Sequence, residues 1–402
     1  MNCTPITECL ACGNHNLVPS LDLGNQPLAN NFRVNQSDSE EMYPLAVNRC
    51  QDCDHLQLTH AVDPKLIYTH YLYVSGTSGT YLDYMKWYAR FVLETYTTYT
   101  NKMGPYSVLD IGCNDGSQLD AFKELLFNTY GVDPAENLWP VSSAKHTVLC
   151  DFWPTDAGFD TQFDIITAQN SFAHNPDPLS WLLSAVQRLR SDGKIFISTS
   201  QADMVLNGEF DTIYHEHISY YNAESMRELA KRAGLHLIDV VKTPIHGTSY
   251  IFVLSKKPRG HERVENILSL ESKLHTGSTY RKWEQDVRDL LVELKQTVDE
   301  YRLQNYKIVG YGAAAKGMTL LNASGIHMDA VIDDNPLKQG TWCPGLDIPV
   351  VSKDYLTSVD KEKVLFIPLA WNFYNEIKHK ILQTRNNPDD RFMRYFPTVE
   401  IT

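Results

Sequence analysis

Short apolar runs and segments of helical spacing take turns through the middle of the chain. Runs at 106–111, 129–132, 147–149, 163–168 and 194–199 have strand length, and helix-competent stretches at 120–127 and 179–189 fall between them. Alternation of this kind predicts a parallel sheet with ligands held at the carboxyl ends of its strands. A helix is expected at 81–96 before the first of these strands, and a strand at 250–254 closes the domain. From 262 to 301 a charged stretch carries apolar residues at Trp283, Val287, Leu290, Leu291 and Leu294, the stripe of an amphipathic surface helix. A second strand–glycine–helix unit begins at Asn305, and further strands end near Ile332 and Pro368. The pattern predicts an α/β protein with three parts: 1–78, 79–258 and 259–402, with Lys256-Lys-Pro-Arg-Gly260 as a linker.

Composition narrows the class. At 402 residues the chain exceeds what one core supports. Hydrophobic content of 43% and charged content of 21% are those of a globular protein, and the net charge of −13 argues against a nucleic-acid binder. No apolar run reaches the ~18 residues of a membrane span, and no secretory signal pattern is visible at the N-terminus. A cytoplasmic protein without membrane or nucleic-acid partners is the expectation, with a monomer favoured over a dimer.

Four of the eight cysteines fall into two pairs, Cys9-x-x-Cys12-Gly13 and Cys50-x-x-Cys53. Each pair turns two thiolates toward one point, and four thiolates make the closed tetrahedral set of a structural zinc. Redox pairs or an iron–sulfur cluster are the alternatives, but no thioredoxin-like strand–helix junction accompanies them. Cys3, Cys113, Cys150 and Cys343 lack partner spacing and read as packing residues. A Tyr-, Ser- and Thr-rich run, Tyr68 to Thr80, is either a loop capping the helix at 81–96 or a lid whose phenols and hydroxyls meet a ligand.

Two further motifs carry chemistry. Asp110-Ile-Gly-Cys-Asn-Asp-Gly116 is a strand, a glycine turn and a helix start, neither a phosphate P-loop nor a dinucleotide Gly-x-Gly-x-x-Gly. It resembles motif I of Rossmann-like S-adenosylmethionine methyltransferases, and Asp133, about twenty residues on, is placed to bind a ribose diol. Candidate cofactor contacts are Asp110, Gly112, Asn114, Gly116, Gln118, Asp133, Pro134, Asp151, Phe152 and Asn170. The second motif is Tyr214-His-Glu-His217. Its histidines are too close for a metalloprotease pair, but a histidine beside a carboxylate and phenols suits proton abstraction. His215 and His217 would share a face if the segment were a strand. In the last part, Gly310-x-Gly312 with Lys316 offers a weak anion cradle.

Taken in order, the whole chain from about Cys9 to Pro397 resembles the sugar C-methyltransferases that methylate C3 of nucleotide-linked 4-keto sugars. The resemblance rests on the two Cys-x-x-Cys pairs, the Asp-Ile-Gly-Cys-Asn-Asp-Gly turn, Tyr-His-Glu-His, and Gly310-Tyr-Gly-Ala-Ala-Ala-Lys-Gly317. It implies a zinc-binding N-terminal domain, a Rossmann-like S-adenosylmethionine domain and a C-terminal Rossmann-like domain, with the nucleotide diphosphate between the last two. The implied base is His217, with Tyr214, Glu216 and His174 nearby and a lid tyrosine at Tyr73 or Tyr71. Substrate contacts are implied at His246, Ser249, Tyr311 and Lys316. His246-Gly-Thr-Ser249 stands where many members carry His-Gly-Gly-Ser, which narrows the pocket. Competing readings are O- or N-methylation of another small molecule, and a non-catalytic scaffold protein.

Overall fold

The computed structural model describes residues 2–71, 73–77, 79–98, 100–155, 157–199, 203–245, 248–260 and 262–402. Contacts divide the chain into two compact units. The first comprises 1–18, 48–203 and 216–275; the second comprises 19–47, 204–215 and 276–402. Two strands, Leu17–Gln26 and Tyr43–Cys50, run from one unit into the other.

In the first unit, β1 (Leu56–Leu58) follows the second cysteine pair, and α1 (Gly79–Thr98) leads toward the main sheet. The sheet is built from β2 (Ser107–Ile111), β3 (Asn128–Asp133), β4 (Thr147–Cys150), β5 (Phe163–Gln169), β6 (Leu189–Thr199), β8 (His236–Thr243) and β9 (Ser249–Ser255). A short strand, β7 (Ser219–Tyr220), pairs instead with β1. The main order is β8-β9-β6-β5-β2-β3-β4. The five strands β6-β5-β2-β3-β4 are mutually parallel, as the alternation predicts. The sheet is nevertheless mixed, because β9 runs antiparallel to both β6 and β8. The connection between β8 and β9 spans only 244–248, too short for the crossover that parallel neighbours need. All of β2 and nearly all of β5 are buried, which explains their continuous apolar runs.

Two helices start where a side chain satisfies a free amide. Asp177 accepts a hydrogen bond from the Ser180 amide ahead of α3 (Pro178–Arg188), where Pro178 occupies the first turn. Asn222 and Ser225 form a reciprocal cap at α4 (Ala223–Arg232). Between β2 and β3 lies α2 (Ser117–Glu124), the helix after the glycine turn. The expected single helix at 262–301 is two, α5 (Glu262–Glu271) and α6 (Gly277–Leu303). The stretch Ser272–His275 between them is a 3-10 turn. Tyr280, Trp283, Val287, Leu290, Leu294 and Val298 form the buried stripe of α6, and the Trp283 indole donates to the Glu209 carbonyl. Cys113 and Cys343 are buried as expected, but Cys150 is exposed at the end of β4 and Cys3 partly so; neither fills the core.

The second unit carries β10 (Lys307–Tyr311), β11 (Ala330–Ile332), β12 (Val350–Val351), β13 (Val364–Pro368), β14 (Arg391–Arg394) and β15 (Glu400–Ile401), in the order β12-β11-β10-β13-β14-β15. Only β15 is antiparallel. After β10 the chain turns through Gly312 into α7 (Ala315–Ser324).

The start of β5 holds a buried charge that fixes β2 beside it. Asp164 accepts from the Ser107 amide (2.8 Å) and pairs with Lys102 at 2.6 Å. Burial opposes its ionisation, but the Lys102 ammonium and Ser107 outweigh that and hold its carboxyl below the usual range. Asp164→Ala is expected to cost on the order of 2–3 kcal/mol at pH 7, less than for a fully buried pair because the Lys102 side chain is 32% exposed. A lowered carboxylate pKa stabilises above the unfolded value, so the deficit should shrink as pH falls below about 4. Urea titration of both proteins at pH 7 and pH 3.5 checks the size and the sign.

Candidate active site and metal centre

The turn after β2 is tied down on three sides. Gly112 has φ +81°, and a Cβ there would stand 2.4 Å from the Ser171 Cβ, so glycine is required by both backbone and space. Its amide donates to the Val132 carbonyl (2.8 Å). Asp133, at the end of β3, accepts from the Asn114 amide (2.8 Å) with one oxygen and from the Ala135 amide (2.9 Å) with the other. Burial raises the Asp133 pKa, and those two amides act against the rise. Asp110 is 2% exposed and accepts from the Thr167 hydroxyl; burial pushes its pKa up to about 7. Gly116 caps α2 with φ +83°, leaving helix amides facing the turn. Gln118 bridges the Met85 carbonyl and the Gln169 side chain. Asn170 sits in the left-handed region with its Oδ1 buried and without a hydrogen-bond partner. Asp151 accepts from the Phe152 amide and the Thr155 hydroxyl, next to the half-buried Phe152 and beyond the Asp133-Pro134 corner.

The tyrosine-rich run lies on this turn. The Ser75 amide donates to Asn114 Oδ1 and the Gly76 amide to Asp115 Oδ2, both at 2.9 Å, while the Asn114 side chain donates to the Tyr73 carbonyl. Tyr73 itself is 46% exposed.

The Tyr214–His217 segment is a turn, not a strand, so its histidines do not share a face. His215 falls in the second unit, its ring edge-on to Tyr43 and its Nε2 3.3 Å from the Tyr43 carbonyl. Burial lowers its pKa to about 4. Tyr214 belongs to the same segment of that unit. His217 and Glu216 fall in the first unit with His174. The rings of Tyr68, His174 and His217 form a stack: Tyr68 and His174 are 5.3 Å apart at 8°, and His174 and His217 5.3 Å apart at 26°. The Tyr71 hydroxyl donates to Glu216 Oε2 (2.7 Å), and the Tyr68 hydroxyl to the Glu216 carbonyl (3.1 Å). Desolvation lowers the His174 pKa to about 4, and its Nε2 is buried with no hydrogen-bond partner. It is a neutral imidazole at pH 7.

The four paired cysteines meet. Their sulfurs lie within 4.8 Å of one another, with Cys9–Cys53 and Cys12–Cys50 each at 3.6 Å. Zn–S bonds of ~2.3 Å require sulfurs about 3.8 Å apart in a tetrahedron, so the set fits zinc. The Cys12 and Asp52 amides point at the Cys9 and Cys50 sulfurs (3.4 Å each), as thiolates require. Four sulfur ligands leave no open coordination position, so this metal would serve structure.

In the second unit, Gly312 has φ +92°, and Lys316 lies in the first turn of α7. Its Nζ is buried without a hydrogen-bond partner, 5.3 Å from the centre of the Trp371 ring. The Tyr311 hydroxyl donates to Asp334 (2.8 Å).

Three family models match successive stretches of the chain: a "Putative zinc binding domain" at 9–68, a "Methyltransferase domain" at 83–240 and a "C-methyltransferase C-terminal domain" at 244–397. The C-methyltransferase NovU of Streptomyces niveus is 28% identical over 395 residues, covering 93% of this chain and 91% of that protein. This chain is thus similar to a C-methyltransferase along nearly its whole length. A ubiquinone biosynthesis O-methyltransferase of Coxiella burnetii is 25% identical over 167 residues, covering 37% of this chain and 71% of that protein. An S-adenosylmethionine-dependent methyltransferase structure from Clostridium acetobutylicum overlaps 44% of this chain and 93% of its own, with 16% identity and a TM-score of 0.37. Among the described residues no helix is long and apolar enough to cross a membrane.

The cofactors of this fold are S-adenosylmethionine and structural zinc, and the four clustered cysteines suit the zinc. Of the two lid candidates, Tyr71 is the one whose hydroxyl reaches Glu216. Ser249 spends its hydroxyl on the Ile245 carbonyl at the start of β9. His246 lies outside the described residues. Sequence reasoning did not single out Tyr68 as a site residue, nor Asp115 as the anchor of Gly76. The density of tyrosine in 68–73 was the available signal, but its targets are far away in the chain.

Two outcomes are expected. Purified protein should carry about one zinc per chain, and chelation should lower its melting temperature; four reduced thiols with no bound zinc would contradict the cluster's assignment. Asp133→Asn should weaken S-adenosylhomocysteine binding by ~10–100-fold in calorimetry, the loss for a hydrogen bond to a charged acceptor. An unchanged affinity would move the ribose elsewhere.

Proposed function

We propose that this chain transfers a methyl group to C3 of a nucleotide-linked 4-keto deoxyhexose, with His217 as the general base. The observation that carries the reading is the stack of Tyr68, His174 and His217 beside a Glu216 carboxylate held by Tyr71. A carbon beside a ketone becomes nucleophilic only when deprotonated. Carbon methylation therefore needs a base and a donor to the enolate oxygen, two functions that transfer to a hydroxyl does not demand.

The two histidines divide these tasks by environment. His174, with its pKa lowered to about 4, is too weak a base for the task, but as a neutral imidazole it can donate a hydrogen bond to the developing oxyanion. His217, stacked on it and adjacent to Glu216, takes the C3 proton. Tyr71 keeps the Glu216 side chain in place, and Tyr68 fixes the Glu216 backbone and covers the other face of His174. Bound S-adenosylmethionine supplies the electrophilic methyl group. In the second unit, Lys316 over Trp371, at the start of α7, supports a role in holding the substrate's diphosphate, with Tyr311 on the neighbouring strand. Tyr214 is the further proposed donor to the sugar.

Incubation with a panel of 4-keto nucleotide sugars in deuterated water tests this reading. The enzyme should exchange the C3 hydrogen and add one methyl mass. His217→Ala should lose ~10²–10⁴-fold in both while retaining cofactor affinity; near-normal exchange in that variant would remove His217 from the role. Because His174 stays neutral, the exchange rate should show a single ascending limb, falling as pH drops through the pKa of the base. A second inflection above pH ~5 that disappears in His174→Gln would contradict the division of tasks.

A further inference from the structure

One continuous set of short-range bonds joins the cysteine cluster to His217. The second cysteine pair leads at once into β1, whose central residue, Gln57, is completely buried. The Gln57 side chain bonds both ways to the backbone entering the first pair: its Oε1 accepts from the Leu10 amide and its Nε2 donates to the Glu8 carbonyl, each at 2.9 Å. Its backbone faces Ser219 in the antiparallel β1–β7 pair. At the edge of that pair the Leu58 amide donates to the Ile218 carbonyl (2.9 Å), and the Ile218 amide donates to the Ala173 carbonyl (2.8 Å). Ile218 is thus clamped between the strand leaving the metal cluster and the loop carrying His174, and it is the residue that follows His217. His55 adds a second tie, its Nε2 3.2 Å from the Ser219 hydroxyl.

We infer that Gln57 is a positioning residue that couples the four-cysteine module to His217, so that the metal-bound fold sets the spacing of the His217–His174 pair through β1, β7 and Ile218. The inference rests on the reading of His217 as the base. A primary amide suits the position because it satisfies one backbone donor and one backbone acceptor at once in a site without water access, and a side chain with only one of those functions leaves the other backbone group unpaired. Placing the brace on a strand pair passes its geometry directly to the backbone of the residue beside the base. An error of about 1 Å there is enough to cost a large factor in rate. The Arg232 guanidinium offers an internal comparison. It donates to the Ala11 carbonyl (2.7 Å) of the first cysteine pair but approaches from α4, off the path to His217.

The test uses zinc-loaded full-length protein with S-adenosylhomocysteine, labelled at the histidine ring carbons, with the His217 signal assigned from its loss in His217→Gln. Gln57→Ala should keep about one zinc per chain and cofactor affinity within about twofold, yet shift or broaden the His217 resonance and change its pH titration. C3 exchange should fall by ~10-fold or more in kcat with little change in KM. Ser219→Ala, which removes the His55 tie and leaves Gln57 in place, should do the same more weakly, and serves if Gln57→Ala does not fold. Arg232→Ala should leave the His217 signal as in the parent. A His217 signal unaltered in Gln57→Ala, loss of zinc in parallel with the change, or an equal change in Arg232→Ala would overturn the coupling. Full exchange in His217→Ala would instead overturn the base assignment and leave the spectroscopic result standing.

Discussion

A carboxylate at the end of a second strand holds the glycine turn after the first, and the chain uses this clamp twice. In the first unit Asp133 takes the Asn114 and Ala135 amides; in the second Asp333 takes the Ala313 and Asn335 amides, at 2.6 and 2.8 Å. The glycine amides also match: Gly112 donates to Val132 and Gly312 to Ile332. A carboxylate whose two oxygens each accept from backbone is hard to replace by packing, because removing it leaves two amides without that acceptor together. Each turn is thereby fixed before any ligand arrives. The helix amides that follow it remain available to an anion or a ribose edge. The two sheets share a central order, with the clamped strand flanked on both sides, yet the sequence holds no repeat that aligns. Geometry recurs here because backbone donors recur, whichever side chains surround them.

The histidines owe their differences to what surrounds them, and His174, His215 and His217 sit among different neighbours. Burial drives His174 and His215 to about 4. His174 keeps its Nε2 unpartnered in the stack, whereas the Nε2 of His215 lies against a backbone carbonyl. A neutral, desolvated imidazole next to a second imidazole is the pairing on which the proposed base and oxyanion roles rest.

Much of the architecture is visible in the linear pattern. Strands buried on both faces read as unbroken apolar runs, and β2, β5 and β13 were placed to within a residue or two for that reason. The antiparallel edge was missed because β8 carries Asp239 and Lys242 among its apolar residues and so lacks the continuous run of a central strand. The break at 272–276 was missed because Ser272-Lys-Leu-His continues the polar and apolar mixture of the helices on either side. Exposure of Cys150 follows from its place at the outer strand β4, a property of sheet order that one residue's chemistry does not encode.

What the sequence determined by itself is whatever depends on neighbours within a few residues. Two Cys-x-x-Cys pairs fold two thiolates inward each; a glycine turn after a buried strand opens a helix N-terminus; an acid about twenty residues on ends the next strand. Tertiary structure decided everything that depends on distant partners. The Tyr71 hydroxyl that meets Glu216 comes from 145 residues away, a partnership no local pattern announces. His217 and not His215 joins His174 because the segment turns between them, and a turn, unlike a strand, sends residues two apart in unrelated directions. Local periodicity fixes which face a residue takes only where the backbone is regular; in an irregular segment the long-range bonds that hold it choose for each side chain separately.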